Sequence, residues 1–386
     1  MAVLSDAQCE AGWTIAKLGD ICAFVAGSAF PQKEQGKVSG DYPFAKVKDL
    51  QSVAGLSWRN IDNWIEESQL KTLKSKIIPV KSIVFAKIGE GLKRERFAMS
   101  SVPMCIDNNL MAAVPSTEVN NIWLYYKFKT LNISSLIAGS ALPYLRVQDL
   151  KDLDISLPPL EEQERIAGIL GSLDDKIEAN TRLIQTLSDY CVALVDSLKL
   201  FEGSRESTLG EIIEFSPKVK KPVGEEYQFI DMSSLPTMGP VPETISSKSS
   251  WSGAKFENGD TLFARITPCL ENGKTAIAMG LGNEPACGST EFIVMRANTP
   301  AQVILPYGIA RSDKFRQEAM SHMIGSTGRQ RVKWQDLANI PASVPSESDM
   351  QKIEKSSDIF EYFEALRKEN LQLATTRDAL IKRLIG

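Results

Sequence analysis

The sequence predicts an α+β protein of two globular lobes separated by two long helices, which pack as an antiparallel coiled coil and give the chain pseudo-two-fold symmetry. Three observations predict this architecture. Short segments recur in the same order in both halves of the 386-residue chain. Each half begins with short apolar runs broken by Gly, Pro, Asn and Asp, which is typical of strands and turns. Each half ends with a long segment of heptad-spaced apolar residues.

The recurring segments indicate a tandem repeat. In residue numbers, first copy and then second, they are 18–21 and 209–212, 85–88 and 263–266, 139–140 and 325–326, 148–150 and 335–337, and 157–159 and 344–346. A shared order at nearly one spacing predicts two units of similar fold. The expected divisions are a first lobe (1–157), a first helical segment (158–202), a second lobe (203–345) and a second helical segment (346–386).

The helical segments each carry an apolar stripe spaced alternately by four and three residues. The first stripe is Ile166, Leu170, Leu173, Ile177, Asn180, Ile184, Leu187, Cys191, Leu194 and Leu198; the second is Ile359, Phe363, Leu366, Asn370, Leu373, Arg377, Leu380 and Leu384. Such a period needs a helical partner, so we expect the two segments to pack on each other, with Asn180 and Asn370 fixing the register. A helix of about 38 residues would be roughly 55–60 Å long. The alternative is that the stripes pack on the lobes.

Within the lobes, apolar runs predict strands at 77–88, 260–266 and 291–295, and helices at 123–129 and 306–320. No apolar run approaches the ~20 residues needed to cross a bilayer, and the N-terminus lacks the pattern of a signal peptide. The six cysteines include no C-x-x-C pair, so we expect reduced thiols in a cytoplasmic protein. The net charge of −4 arises mainly in residues 158–202, while the first lobe has an excess of basic residues.

A search for catalytic motifs finds none that is complete. The single histidine, His322, lies in a Met-rich stretch, and no cluster has metal-ligand spacing. Gly273-Lys274-Thr275 resembles the end of a phosphate loop, but Pro268 occupies the position of its first glycine. There is no Glu-x-Lys tripeptide, and Pro158-Pro159 lacks the flanking residues of an amino-methyltransferase loop. These results favour a binding protein that needs no cofactor of its own.

The segment from Leu157-Pro158-Pro159-Leu160 through Gln163 and Ile166, continuing to Leu173-Asp174-Asp175-Lys176-Ile177 and Asn180, is very similar to the start of the central helix in type I restriction-modification specificity subunits. A degenerate second copy runs from Val344 to Asn370. Leu18-Gly19-Asp20-Ile21 and its second copy resemble the start of a target recognition domain. The resemblance covers nearly the whole chain as architecture, and only the helix entry is sharply diagnostic.

The resemblance implies that each lobe is a target recognition domain that reads one half of a bipartite DNA site, and that the helices set the gap between the half-sites. It also implies that two methyltransferase (modification) subunits dock on the chain and that restriction/translocase subunits then join. S-adenosylmethionine, ATP and Mg²⁺ would bind to those partners, which would also carry out N6-adenine methylation.

Candidate DNA-contacting residues are basic, amide or aromatic side chains on turns at corresponding places in the two lobes, because bases are read by side chains in the grooves and phosphates by cations. In the first lobe they are Lys87, Lys93, Arg94, Arg96, Tyr144 and Arg146; in the second they are Arg265, Lys274, Arg329, Gln330, Arg331 and Lys333. For each of them the alternative is an ordinary solvated surface residue. Trp58, Trp64, Trp251 and Trp334 are expected to pack in the core or on the surface of the lobes rather than stack on bases.

Three other functions stay open at this level. The first is a specificity protein whose partner is a methyltransferase without a restriction subunit. The second is a self-sufficient enzyme, such as a nuclease or a methyltransferase. The third is a coiled-coil scaffold that binds no nucleic acid.

Overall fold

The computed structural model describes residues 3–54, 56–58, 61–139, 142–202, 206–326 and 328–386. The chain forms two compact units, which are described separately below. Unit 1 consists of Met1–Glu178 and Gln372–Gly386, and unit 2 consists of Ala179–Leu371. Each unit therefore contains one lobe together with a part of both long helical segments.

The α-helices of the described chain are α1 (Asp6–Glu10), α2 (Leu18–Ile21), α3 (Gln69–Leu73), α4 (Asn121–Thr130), α5 (Val147–Lys151), α6 (Leu160–Ser197), α7 (Leu209–Ile212), α8 (Ile304–Arg311), α9 (Asp313–Ser321), α10 (Trp334–Ala338), α11 (Glu347–Lys355) and α12 (Asp358–Leu384). The predicted first long helix is confirmed as α6. The second segment is two helices, because the chain turns at Ser356 and Ser357. The Ser356 hydroxyl donates to the Lys352 carbonyl at 3.0 Å, a side-chain bond that competes with helix continuation. The heptad stripe that begins at Ile359 lies wholly in α12.

Unit 1 is built on antiparallel sheets and a short mixed sheet. Its strands are β1 (Thr14–Lys17), β2 (Cys22–Ala26), β3 (Tyr42–Ala45), β4 (Val53–Ala54), β5 (Ser57–Trp58), β6 (Trp64–Ile65), β7 (Ile83–Ala86), β8 (Phe97–Met99), β9 (Cys105–Ile106), β10 (Leu110–Pro115) and β11 (Asp154–Leu157). The main sheet has the order β2-β10-β7-β8, and β6-β3-β9 forms a smaller sheet in which β3 and β9 are parallel. The core lies between the main sheet, α4 and the first turns of α6.

Unit 2 repeats this arrangement. Its strands are β12 (Ser207–Thr208), β13 (Ile213–Phe215), β14 (Tyr227–Ile230), β15 (Ser246–Lys248), β16 (Ala254–Phe256), β17 (Thr261–Ala264), β18 (Thr275–Ile277), β19 (Ala286–Gly288), β20 (Phe292–Ala297) and β21 (Pro341–Ala342). The main sheet has the order β13-β20-β17-β18, and the smaller sheet has the order β15-β14-β19-β16 with β14 and β19 parallel. The predicted single helix at 306–320 is α8 and α9, separated at Ser312, whose hydroxyl caps α9 by accepting from Phe315 N at 3.3 Å.

The register of the two units confirms the tandem repeat. In the smaller sheets, Phe44 faces Cys105 across a parallel pair, and Phe229 faces Cys287 in the same way. The buried repeat residue Leu18 donates its amide to Leu153 at 2.9 Å, and the second-copy residue Leu209 donates to Ile340 at 3.0 Å. Backbone pairing is therefore conserved between halves that differ in most side chains.

In unit 1, the end of α12 packs beside the first part of α6. Ile166 and Leu170 are fully buried in the same core as Ile381 and Ile385. Arg377 Nη1 lies 2.5 Å from Asp174 Oδ1, and the Tyr126 hydroxyl donates to the other oxygen of Asp174 at 2.6 Å. The stripes of this unit thus contact both the other helix and the lobe.

In unit 2, the second part of α6 pairs with the first part of α12. Asn180 is buried, and its amide nitrogen donates to Glu369 at 2.6 Å and to Asn370 at 2.9 Å. Asn370 in turn donates to Thr181 at 3.5 Å. Ile184 and Cys191 share a core with Ile359 and Phe363. Because higher numbers in α6 meet lower numbers in α12, the pairing is antiparallel, as the sequence predicts.

The rest of the stripe follows the same pattern of burial. Leu173, Ile177, Leu187, Leu194, Leu366, Leu373 and Leu380 are all partly buried. The two asparagines expected to fix the register contact each other directly.

Candidate nucleic-acid interface

Each unit holds two loops together at the end of the third strand of its main sheet. In unit 1 the loops are 87–96 and 138–146, here called loop pair 1. The Leu145 amide donates to the Lys87 carbonyl at 2.9 Å, and Tyr144 and Ala138 exchange two backbone hydrogen bonds of 2.9 Å. Ser140 and Ala141 lie outside the described residues. These main-chain hydrogen bonds therefore fix the positions of the backbone atoms from which the side chains of both loops project.

Unit 2 has the same construction. Its loops are 265–274 and 324–333, here called loop pair 2. The Val332 amide donates to the Arg265 carbonyl at 3.0 Å, and Arg331 and Ile324 exchange backbone bonds of 2.9 and 3.0 Å. Thr327 lies outside the described residues. By these bonds Arg265 corresponds to Lys87, and Arg331 corresponds to Tyr144.

Loop pair 1 brings together all six residues predicted for the first lobe. Lys87 directly follows β7 and is partly buried, while Lys93, Arg94 and Arg96 are exposed on the turn that follows. Lys93 pairs with Glu90 at 2.8 Å. Within the described chain, Arg94 and Arg96 form no ion pair, so both guanidinium groups face solvent with their charge available.

The second loop of this pair presents an aromatic ring beside a cation. Tyr144 is 36% exposed, and the guanidinium carbon of Arg146 lies 6.0 Å from the centre of its ring. A hydrogen bond from Arg146 to Tyr144 raises the pKa of the arginine. Arg146 is itself exposed and immediately precedes α5.

Loop pair 2 contains an ion-paired centre that loop pair 1 lacks. Arg331 Nε lies 3.0 Å from both carboxylate oxygens of Glu291, and Arg331 Nη2 lies 2.8 Å from one of them. These bonds raise the pKa of Arg331. Arg265 Nε is 3.8 Å from the same carboxylate. Two guanidinium groups therefore share one anion at the base of this loop pair.

The other four predicted residues of the second lobe differ in their contacts and in their exposure to solvent. Gln330 is clamped through its backbone to Thr267, which donates to its carbonyl at 3.1 Å and accepts from its amide at 2.9 Å. Lys274 Nζ donates to the Met232 carbonyl at 2.9 Å, which directs this side chain toward the lobe. Arg329 and Lys333 are exposed. Loop pair 2 thus brings all six residues into one region, with two of them exposed cations.

The residue of unit 1 that corresponds to Glu291 is Asn109, whose side chain is uncharged. The Arg265 amide donates to the Glu291 carbonyl at 3.0 Å, and the Lys87 amide donates to the Asn109 carbonyl at 2.8 Å. Sequence reasoning did not select Glu291, because the signal is a long-range backbone pairing rather than a local motif.

Sequence reasoning also missed a group of lysines on the smaller sheet of unit 2. Lys248 Nζ lies 3.4 Å from the centre of the Phe229 ring, and Lys221 and Lys255 lie 5.2 and 5.6 Å from the rings of Tyr227 and Trp251. A cleft of about 680 Å³ opens beside them. Its lining residues are Ser216, Pro217, Lys218, Val219, Gly253, Ala254, Lys255, Thr290, Phe292 and Val294. Such cation–π contacts hold lysines in place while leaving their charge exposed to an anion.

The remaining candidates for chemistry are dispersed. His322 ends α9 with its imidazole 3.7 Å from Glu318, at the surface. All six cysteines are free thiols. Among the residues that the structure describes, no group of three or more His, Cys, Asp or Glu side chains could hold a metal ion, and no helix is long and apolar enough to span a membrane.

Both the sequence and the fold of this chain are similar to those of known proteins. The family model described as "Type I restriction modification DNA specificity domain" matches residues 10–189. The MjaIX type I restriction enzyme specificity subunit of Methanocaldococcus jannaschii is 32% identical over 197 residues, which cover 50% of this chain and 45% of that protein. The chain therefore spans less than half the length of that relative.

Two further similarities extend over almost the whole chain. The MjaVIII specificity subunit of the same organism is 22% identical over 410 residues, covering 97% of this chain and 92% of that protein. A crystal structure of a type I restriction-modification S subunit from M. genitalium superposes with a TM-score of 0.55 at 16% identity, covering 97% of this chain and 96% of that one, which establishes a shared fold. Residues 10–189 therefore match a type I restriction modification DNA specificity domain, and the chain is similar over almost its whole length to type I restriction-modification specificity subunits.

Proposed function

We propose that this chain is the DNA-binding specificity subunit of a type I restriction-modification complex, in which each lobe reads one half of a bipartite site. The observation that carries the proposal is the pair of equivalent loop pairs. Both have the same backbone frame, yet they present Lys87 and Tyr144 in one unit and Arg265 and Arg331 in the other. Two readers of one fold with different side chains suit a site whose two halves differ in sequence.

The exposed cations serve as phosphate contacts in this proposal. Arg94, Arg96, Arg329 and Lys333 are exposed around the loop pairs, and the lysines of the smaller sheet in unit 2 add a second basic surface. Cations that neutralise phosphates give affinity that falls steeply with salt, without selecting a sequence. Such local basic surfaces reconcile DNA binding with the net charge of −4.

The long helices act as the spacer between the half-sites and as the dock for methyltransferase subunits. A 38-residue helix, α6, suits a spacer because a helix is stiff, and half-sites on DNA are spaced by the helical turn. Catalysis belongs to the partners: methyltransferase subunits bind S-adenosylmethionine, and restriction/translocase subunits bind ATP and Mg²⁺. The chain acts in the cytoplasm as a non-catalytic subunit.

The experiment is to map methylated adenines across the genome with and without this gene. A two-part motif should disappear when the gene is deleted. Exchange of residues 13–157 for the corresponding lobe of a relative should then alter one half of the motif only. Persistence of every motif after deletion, or a change in both halves after the exchange, would overturn the proposal.

The other functions predict different results in the same system. If the purified chain alone modifies or cuts DNA when S-adenosylmethionine and Mg²⁺ are supplied, it is a self-sufficient enzyme. If the complex prefers no DNA sequence in a mobility-shift assay, the chain is a scaffold. The genes that neighbour this one distinguish a complex with a methyltransferase alone from a complex that also contains a restriction subunit.

A further inference from the structure

We infer that Arg331 reads a guanine in the half-site of unit 2 and that Glu291 is the residue that positions it. This inference rests on the proposed function and assigns one base contact within it. The geometry around Arg331 provides the argument, because an arginine has two separate edges through which it donates hydrogen bonds.

The side edge of Arg331 is occupied. Its Nε and Nη2 both donate to Glu291, at 3.0 and 2.8 Å. The remaining contact of Nη1 is a long one of 3.4 Å to the Arg329 carbonyl. The end-on edge, formed by Nη1 and the second hydrogen of Nη2, is therefore open. With 41% of its side chain exposed, Arg331 presents this edge to solvent.

The open edge matches one base in particular. Guanine offers two adjacent acceptors, O6 and N7, on its major-groove edge, and the paired donors of a guanidinium fit them. Glu291 contributes by holding the guanidinium plane before DNA arrives, so less conformational entropy is lost on binding. The carboxylate is only 24% exposed and also lies near Arg265, so the group has little freedom to turn away.

Unit 1 supplies the contrast that makes the assignment specific to one half-site. The residue corresponding to Arg331 is Tyr144, and the residue corresponding to Glu291 is Asn109. A phenol and an amide cannot form a buttressed pair of parallel donors. The same backbone position in loop pair 1 therefore lacks this guanine contact.

The test uses the full chain together with its partner subunits in cells, with methylated adenines mapped as above. The lobe exchange first identifies which half-site belongs to unit 2. Arg331→Lys keeps the charge but loses the two parallel donors, so the motif should become degenerate at one guanine of that half-site. We expect the preference for guanine there to fall by roughly tenfold to a hundredfold. Glu291→Gln should weaken the preference at the same base and at no other.

Arg316→Lys is the matched control, since it makes the same exchange at an arginine of unit 2 that pairs with Asp313 on α9 and has no assigned DNA contact, so it should leave every base of the motif unchanged. The half-site of unit 1 is an internal control for folding in each variant. If Arg331→Lys or Glu291→Gln leaves the guanine preference intact while the motif still depends on this gene, the inference is wrong and the proposed function stands. If the motif does not depend on the gene, the proposed function itself fails.

A second measurement needs no variant. The unaltered complex is bound to duplexes in which each guanine in turn is replaced by 7-deazaguanine, which lacks the N7 acceptor. One guanine of the unit 2 half-site should weaken binding by about tenfold when it is replaced, since half of the paired contact is lost. Equal binding to all the substituted duplexes would overturn the inference, even where the substituted proteins fail to fold.

Discussion

Removal of Arg377 tests the packing of α12 in unit 1 most directly. Asp174 is 1% exposed, and its two oxygens accept from Arg377 at 2.5 Å and from the Tyr126 hydroxyl at 2.6 Å. The arrangement acts on both donors: burial, and then the charge of Asp174, raises the pKa of the Tyr126 phenol. For Arg377, burial opposes the charged form, but Asp174 and Asp378 outweigh it and raise the pKa.

The expected loss in the free energy of unfolding follows from the contacts that remain in the Arg377→Met variant. The variant retains a buried carboxylate with a single hydroxyl donor, and breaking a buried pair in this way costs about 3–5 kcal/mol. Only 15% of the Arg377 side chain is exposed, so solvent screening reduces this figure little. Since a domain is stable by about 5–15 kcal/mol, the loss is a large fraction of the total.

The assay is urea unfolding of the full chain, followed by tryptophan fluorescence and by hydrogen exchange of α4, because two units can unfold separately. Lys382→Met, an exposed change on the same helix, should alter the free energy of unfolding by less than about 0.5 kcal/mol. Asp174→Asn combined with Arg377→Met should recover more than half of the loss, since no charge is then left buried. The reasoning is refuted if Arg377→Met is as stable as the unaltered chain, or if the double variant is no better than the single one.

Two further predictions concern buried polar groups. Burial lowers the pKa of Lys127 from 10.5 to about 8, and its amine donates to Ser156 at 3.0 Å and to the Ile385 carbonyl at 3.1 Å. At this site the unfolded chain holds more protons than the folded chain between pH 8 and 10.5, so the contribution of Lys127 to stability should rise with pH in that window by roughly 3 kcal/mol. The free energy of unfolding of the unaltered chain, taken relative to that of Lys127→Met in unfolding titrations, should increase by this amount, since the opposing contributions of buried Cys22, Cys105 and Cys191 are common to both chains. Asn180→Leu should cost about 1–3 kcal/mol because the side-chain carbonyl of Asn370 loses its donor, whereas leucine at both positions should restore stability in the same urea assay; equal losses in the two variants would contradict this account.

The long-period features of the fold could be predicted from the sequence because they repeat. The heptad stripe of α6 is a local pattern, and every position in it is at least partly buried. The tandem repeat could be predicted because the repeat residues Leu18 and Leu209 are both fully buried, each in its own unit. Patterns of this kind depend on burial alone, which leaves a strong trace in sequence.

The breaks and the polar centres could not be predicted in the same way. Ser312 and Ser356 end helices through hydrogen bonds of one side chain each, which periodicity does not detect. Arg377 stood in the apolar stripe of the second segment, yet its partner Asp174 is 203 residues away in sequence. Glu291 is 40 residues away from Arg331 in sequence, so their ion pair becomes evident only in the folded structure. The features that could not be predicted are therefore of two kinds, local side-chain hydrogen bonds that leave no periodic pattern and polar pairs that are distant in sequence.

The loop pairs of the two units differ in their side chains, and there the main chain maintains the structure. Phe44 and Phe229 face Cys105 and Cys287 inside the protein, and there the residue types are retained. In the loop pairs, the bonds that hold the frame come from amides and carbonyls, which every residue except proline provides in full. A change of side chain at these positions leaves the frame intact and alters only what is presented to a ligand. Under the proposed function, the same fold supports two different readers, because stability depends on main-chain atoms and specificity depends on side-chain atoms of the same residues.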